Sequence, residues 1–333
     1  MRTHSNLART TATLAIAALL IACGKNAEAP SAPIPVDGVT YMNAMVDTME
    51  SFSVNRKKID WVSFRSQVLA ALPANATILN TSPAISLALR LLGDNHSFYT
   101  SASLGVLSAY SLNCAAPKIT GTPVLGADIG YVRITNFDPP PGSPAAQAFA
   151  DSLQAAIRAV DSPQIRGWIV DLRGNTGGDM WPMVAGVGPI LGSGVAGYFV
   201  DPDGVATQWD YDGYESELNE AMQQHVSAPY TLISPSPRVA VLIDQLVASS
   251  GEATAVAFKQ RPNTQFFGTP TCGLATANMA HTMSDGAILT LTGATDADRK
   301  STLYGGPLQP DVLVSDTSAV VPAAVAWLRS SQP

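Results

Sequence analysis

Charge, cysteine and long apolar runs are all scarce in this 333-residue chain, and each scarcity removes a class of protein. Charged residues make up 14% and aromatic residues 7%, with 19 Lys and Arg against 26 Asp and Glu. The one local basic excess, Arg56-Lys57-Lys58, reads as a solvated loop, and no basic stripe runs elsewhere. Nucleic acid is therefore excluded as a partner, because holding phosphates needs clustered Lys and Arg. The apolar run Ala12 to Ala22 is short of the ~20 residues that span a bilayer, so it does not read as a membrane helix. No internal repeat or low-complexity tract appears outside a tether at the N-terminus. Of the three cysteines, only Cys114 and Cys272 fall in the body of the chain, where an oxidising compartment would let them pair.

What is present begins with an export signal. Arg2 and Arg9 precede the apolar run, which ends Leu20-Ile21-Ala22-Cys23-Gly24. This resembles a bacterial lipobox, so residues 1–22 are expected to be a lipoprotein signal peptide and Cys23 the lipidated first mature residue. Gly24 in place of Asp resembles the signal for outer-membrane sorting, facing the periplasm. Acyl chains on Cys23 would then be the link to the membrane. Residues 23–38, rich in Ala, Pro and Ser, read as a flexible tether. Loss of the first 22 residues leaves 17 basic against 26 acidic residues, a balance of −9. The remaining chain is long enough for a large core in one or two domains.

Residues 39–100 are expected to form a helical N-terminal domain. Tyr41, Met45, Met49 and Phe52 fall at helical spacing, as do Trp61, Phe64, Val68 and Leu72 behind Asp60 as cap. Ser82-Pro83 opens a third helix that Gly93 stops. Residues 120–333 read as an α/β domain. Gly130 to Phe137 alternates as a strand, a helix follows Ser143-Pro144, and Gly167 to Leu172 is a buried strand: a βαβ unit. Gly192 to Gly197 matches GxGxxG but follows no strand, so it reads as a turn rather than a cofactor loop. Glu215 to Gln224 is polar and reads as a surface helix. No metal or cofactor is expected.

The chain is organised around Arg238 to Gln260. Val239 to Ile243 is an apolar run of the kind buried on both sheet faces, and Ala248-Ser249-Ser250-Gly251 leads into an Ala/Val-rich helix. A serine at the mouth of a helix exposes its hydroxyl beside free N–H groups, which suits a nucleophile with an oxyanion hole. The same turn is also a common helix cap. Two other loops stand out: Gly93-Asp94-Asn95-His96-Ser97-Phe98 and Asp171-Leu172-Arg173-Gly174-Asn175-Thr176-Gly177-Gly178. A base, an anion cradle and a nucleophile are what acyl transfer needs.

In these motifs the sequence resembles the tail-specific, or C-terminal processing, serine peptidases, with the tricorn core protease as a relative. The resemblance covers residues 40–315. Gly93-Asp94-Asn95-His96-Ser97 is similar to LGDxHS, residues 171–178 to DLRxNxGG, and Ser249-Ser250-Gly251-Glu252 to the nucleophile turn. Gly268-Thr269-Pro270-Thr271-Cys272-Gly273 resembles GExTxG, and Gly306-Pro307-Leu308-Gln309-Pro310-Asp311 resembles GxIxPD. The resemblance implies a ClpP/crotonase-like α/β catalytic domain, Ser249 as nucleophile and His96 as base. It also implies oxyanion donors from Gly177, Gly178 and Ser250, and a peptide or protein as substrate. The lysine that Ser/Lys members carry after TxG is replaced by Leu274, so that dyad is excluded. The orienting Ser and Glu of the His-dependent branch correspond to Asn95 and Tyr304, which leaves Asp298 and Asp94 as candidates to orient His96. His225 and His281 are rival bases. The segment after His96 is too short for a PDZ domain. Two other classes remain: an inactive peptide- or ligand-binding lipoprotein on the same scaffold, and an acyl-CoA enzyme, which the lack of basic clusters near the glycine loops disfavours.

Overall fold

In a computed structural model, the described residues are 37–119, 121–140 and 142–330; the signal segment, Cys23 and nearly all of the tether lie outside them. The described residues fall within one compact unit. It begins with α1 (Gly38–Phe52), α2 (Trp61–Ala70) and α3 (Ser82–Leu91). Asp37 and Asp60 cap the first two helices, accepting from Thr40 N at 2.8 Å and Val62 N at 3.1 Å. Tyr41, Met45 and Met49 are buried as their spacing predicts, while Phe52 is left exposed. These helices do not close a core of their own. They pack on Tyr99 of β1 (Phe98–Ser101) and on Leu289 and Leu291 of β12 (Ile288–Asp298), so the expected helical domain shares its core with the α/β part.

Two sheets make the rest. The first pairs β2 (Gly105–Ser108), β1, β12, β5 (Gly194–Val200), β6 (Ala206–Tyr211), β7 (Glu215–Leu218) and β8 (Ala221–His225) in that order, all antiparallel, with β11 (Thr276–Thr282) also on β12. The second is parallel, in the order β13 (Val312–Leu313), β10 (Thr264–Gly268), β9 (Arg238–Ile243), β4 (Gly167–Asp171) and β3 (Ile129–Arg133). Its crossovers run through α4 (Pro144–Val160), α5 (Met180–Leu191) and α6 (Ser250–Phe258), and α7 (Thr317–Arg329) closes the chain. The expected α/β class with βαβ units is what the chain adopts.

β9 shows why its sequence is an unbroken apolar run. It is a central strand, and alternate residues face different layers. Val239, Val241 and Ile243 enter the core with α4, α5 and α6, while Ala240 and Leu242 pack with Val320, Ala324 and Leu328 of α7. Two expectations fail. Glu215 to Gln224 is not a helix but the β7–β8 hairpin, turned at Asn219 and Glu220 with φ of 47° and 64°. Ser216 and Gln224 are buried there, and Ser216 Oγ donates to Trp181 O at 3.0 Å. The GxGxxG stretch is mostly strand β5; Gly197 is glycine because a Cβ would stand 2.3 Å from the Trp209 ring.

Candidate active site

Ser249 stands where β9 hands over to α6. Its φ of 53° and ψ of −123° lie outside the regions a side chain favours, so the turn holds it by force of its neighbours. Those neighbours are specific. Glu252, fully buried, accepts from Ser249 N at 3.2 Å, Gly273 N at 2.9 Å and Leu274 N at 2.6 Å, and from the Thr271 hydroxyl. Burial pushes its carboxyl up to about 7 against the pull of those donors. One carboxylate thus fastens the serine turn to the 271–274 loop. Cys272 in that loop is disulfide-bonded to Cys114, the pairing that the sequence left open.

The glycine loop after β4 is fastened from the other side. Arg173 holds Asp171 through two contacts, Nε to Oδ1 at 2.9 Å and Nη2 to Oδ2 at 2.7 Å. Asp244 accepts from Gly174 N at 3.0 Å, and Asn175 O accepts from Ala248 N at 3.0 Å. The three expected oxyanion residues are then not equivalent. Gly177 N already donates to Asn175 Oδ1 at 2.9 Å. The N–H groups of Gly178 and Ser250 have no acceptor among the described residues, and both residues line the cleft beside Ser249. Gly178 has a φ of 109°, and a Cβ there would stand 2.0 Å from Phe137 O, so no other residue fits.

His96 comes from the loop between α3 and β1, and 153 residues separate it from Ser249. Its Nε2 lies 2.9 Å from Ser249 Oγ, and its Nδ1 lies 2.8 Å from Thr276 Oγ1. Asn278 Nδ2 holds the His96 carbonyl at 3.1 Å. Burial depresses the imidazole to about 4, only partly offset by the negative charge of Asp94. The ring is therefore neutral at pH 7.

Neither acid expected to orient the ring touches it. Asp94 accepts from the backbone N–H of His96 at 2.9 Å and of Ser97 at 2.7 Å, shaping the loop. Asp298 accepts from the Tyr304 hydroxyl at 2.7 Å and closes its own turn. Thr276 is the group on the ring, and no sequence signal marked it: it is a lone threonine two residues past Leu274. His225 stacks on Tyr214 at 5.7 Å and His281 packs on Phe52 at 4.7 Å; neither lines the cleft that holds Ser249. That cleft, about 760 Å³, lies between the antiparallel sheet and the segments at 138–139, 178–181 and 249–253, with Phe98, Met180, Trp181, Phe199 and Met279 as apolar lining.

The family model described as peptidase family S41 matches residues 128–314. The nisin-resistance protein of Lactococcus lactis subsp. lactis is 26% identical over 299 residues, covering 89% of each chain. A lipoprotein from Streptococcus agalactiae superposes with a TM-score of 0.67 at 22% identity, over 89% of this chain and 97% of that one. The photosystem II D1 C-terminal processing protease superposes with a TM-score of 0.59 at 15% identity, over 88% and 97%. At those identities the two structures speak to the fold.

Proposed function

The chain belongs to peptidase family S41, and from that premise we propose that it hydrolyses peptide bonds with Ser249 as nucleophile and His96 as general base. The observation that carries this reading is the 2.9 Å contact between His96 Nε2 and Ser249 Oγ at a serine held in a forced conformation. For Nε2 to accept the hydroxyl proton, Nδ1 carries the ring proton and donates it to Thr276 Oγ1. Ser249 Oγ attacks the peptide carbonyl, His96 takes its proton and returns it to the leaving amine, and water then hydrolyses the acyl-enzyme. The N–H groups of Gly178 and Ser250 receive the oxyanion; one such donor is typically worth roughly 10²–10³ in rate. The lipobox at Cys23 and the likeness to a lipoprotein support a cell-envelope location, with a lipid tether on Cys23 and the outer membrane as its site.

One observation favours a second reading, a binding protein without turnover. The imidazole is buried, depressed to about 4 and faced by a neutral threonine rather than a carboxylate, which makes it a weak base. Labelling with a fluorophosphonate probe separates the two. Wild-type labelling lost in Ser249→Ala and in His96→Ala supports the peptidase; a folded wild type that stays unlabelled favours the binder. Labelling that survives in Ser249→Ala assigns the chemistry to another serine.

A further inference from the structure

The cleft beside Ser249 carries charge of one sign. Asp138, Asp179 and Asp201 line it, and among the described lining residues there is no Lys or Arg. Asp201 is neutralised by Arg56 at 2.9 Å. Asp138 and Asp179 have no such partner among the described residues. Asp138 is exposed, with one hydrogen bond, from Asn136 Nδ2 at 3.0 Å. Asp179 is only 8% exposed; its Oδ1 caps α5 by accepting from Trp181 N at 3.0 Å, and its Oδ2 has no hydrogen-bond partner. A buried carboxylate oxygen without a donor destabilises the fold, and such groups persist where a ligand supplies what is missing.

The two acids bracket the oxyanion loop. Asp138 Oδ1 lies 3.0 Å from where a Cβ on Gly178 would stand, and Asp179 is the next residue in the chain. Asp179 N donates to Phe137 O at 2.7 Å, which clamps the two short segments together. Both residues therefore flank Gly178, whose N–H the peptidase reading gives to the oxyanion, and both line the cleft that holds Ser249. Resting on the peptidase reading, we propose that Asp138 and Asp179 form a subsite for a lysine or arginine side chain of the peptide, next to the bond that Ser249 cleaves. The aliphatic stem runs over Met180, Trp181 and Ala253 while the cationic head meets the carboxylates. The same lining offers no cation to a free C-terminal carboxylate, so the cleft selects basic segments rather than chain ends. The net negative charge of the chain steers such peptides toward it.

The test uses internally quenched alanine-rich octapeptides in which one lysine is walked through every position, with matched glutamine and glutamate sets. They are offered to wild type, Asp138→Lys, and a double variant with Asp138→Asn and Asp179→Asn, in which asparagine at 179 keeps an oxygen for the α5 cap. The expected kcat/KM for the best lysine peptide exceeds its glutamine match by about tenfold, the worth of one charge-assisted contact. That ratio falls to about one in the double variant, and Asp138→Lys makes the glutamate peptide the preferred one. Equal rates for the three sets, or a lysine preference unchanged in both variants, overturns the subsite. Should the double variant fail to fold, the single exposed position 138 still decides by inversion or its absence. If no peptide is cut, anisotropy of the fluorescein-labelled sets on Ser249→Ala protein and on the same protein with Asp138→Lys decides. Lysine-selective binding that inverts supports the subsite while the peptidase reading fails, and unselective or absent binding overturns it.

Discussion

Replacing Thr276 by valine removes one oxygen and keeps the branched shape of the side chain. In the wild type that oxygen stands 2.8 Å from His96 Nδ1, on the far side of the ring from Ser249. The valine leaves the ring N–H buried without an acceptor and frees the ring to turn or to take the wrong tautomer. A lost hydrogen bond to a buried polar group costs about 1–3 kcal/mol. If that loss falls wholly on the transition state, where the ring becomes cationic, the rate drops by about 5- to 150-fold. The assay is the second-order rate of fluorophosphonate labelling for wild type, Thr276→Val, Thr276→Ser and His96→Ala. Serine restores the acceptor and should return the rate to within a few-fold of wild type. His96→Ala should fall further, by roughly 10³-fold or more, since it removes the proposed base itself. The melting temperature of the valine variant serves as control, because a merely structural threonine would lower it and leave the serine variant no better. A valine variant that labels at the wild-type rate refutes the role of Thr276.

Further outcomes follow from the same contacts. Because burial depresses His96 to about 4 from 6.5, labelling should hold its rate down to pH values well below 6.5 and halve near 4; half-loss near 6.5 would contradict a buried base. The same group makes stability fall as pH drops from about 6.5 to about 4, since the unfolded chain then binds a proton that the folded ring refuses, measurable as urea midpoints across that range. Glu252→Gln turns an amide NH2 toward two of the four donors that the carboxylate now serves. It should cost about 2–4 kcal/mol and abolish labelling, and an unchanged calorimetric melting temperature would show those contacts to be idle. Reducing the Cys114–Cys272 disulfide should cost about 2–5 kcal/mol and slow labelling through the 271–274 loop, with Cys114→Ser giving the same result without reductant. Thiol titration of denatured, unreduced protein beginning at Lys25 should find no free cysteine.

Much of this architecture can be read in advance because the backbone makes it. β9 is buried on both faces, so its sequence has no polar alternation to obscure it, and the turn to α6 follows directly. The Asp171-to-Gly178 loop is legible for a similar reason: Gly177 and Gly178 are where backbone crowds backbone, against Ala248 O and Phe137 O. The misread hairpin at 215–225 shows the opposite case. Its Glu, Ala and Gln residues favour a helix in isolation, and only cross-strand pairing with β6 and burial of Ser216 and Gln224 overrule them. The orienting group failed for a third reason. An acid is the expected partner for a histidine, and Asp94 is beside His96 in sequence, yet its carboxylate is consumed by the N–H groups of its own loop. Thr276 arrives from β11, 180 residues away, as one hydroxyl with no pattern around it. A side chain that matters through a single atom leaves no periodicity, spacing or composition behind. The chemistry here is legible where loops supply N–H groups and illegible where one distant oxygen sets the ring, which is why the threonine is the residue to change first.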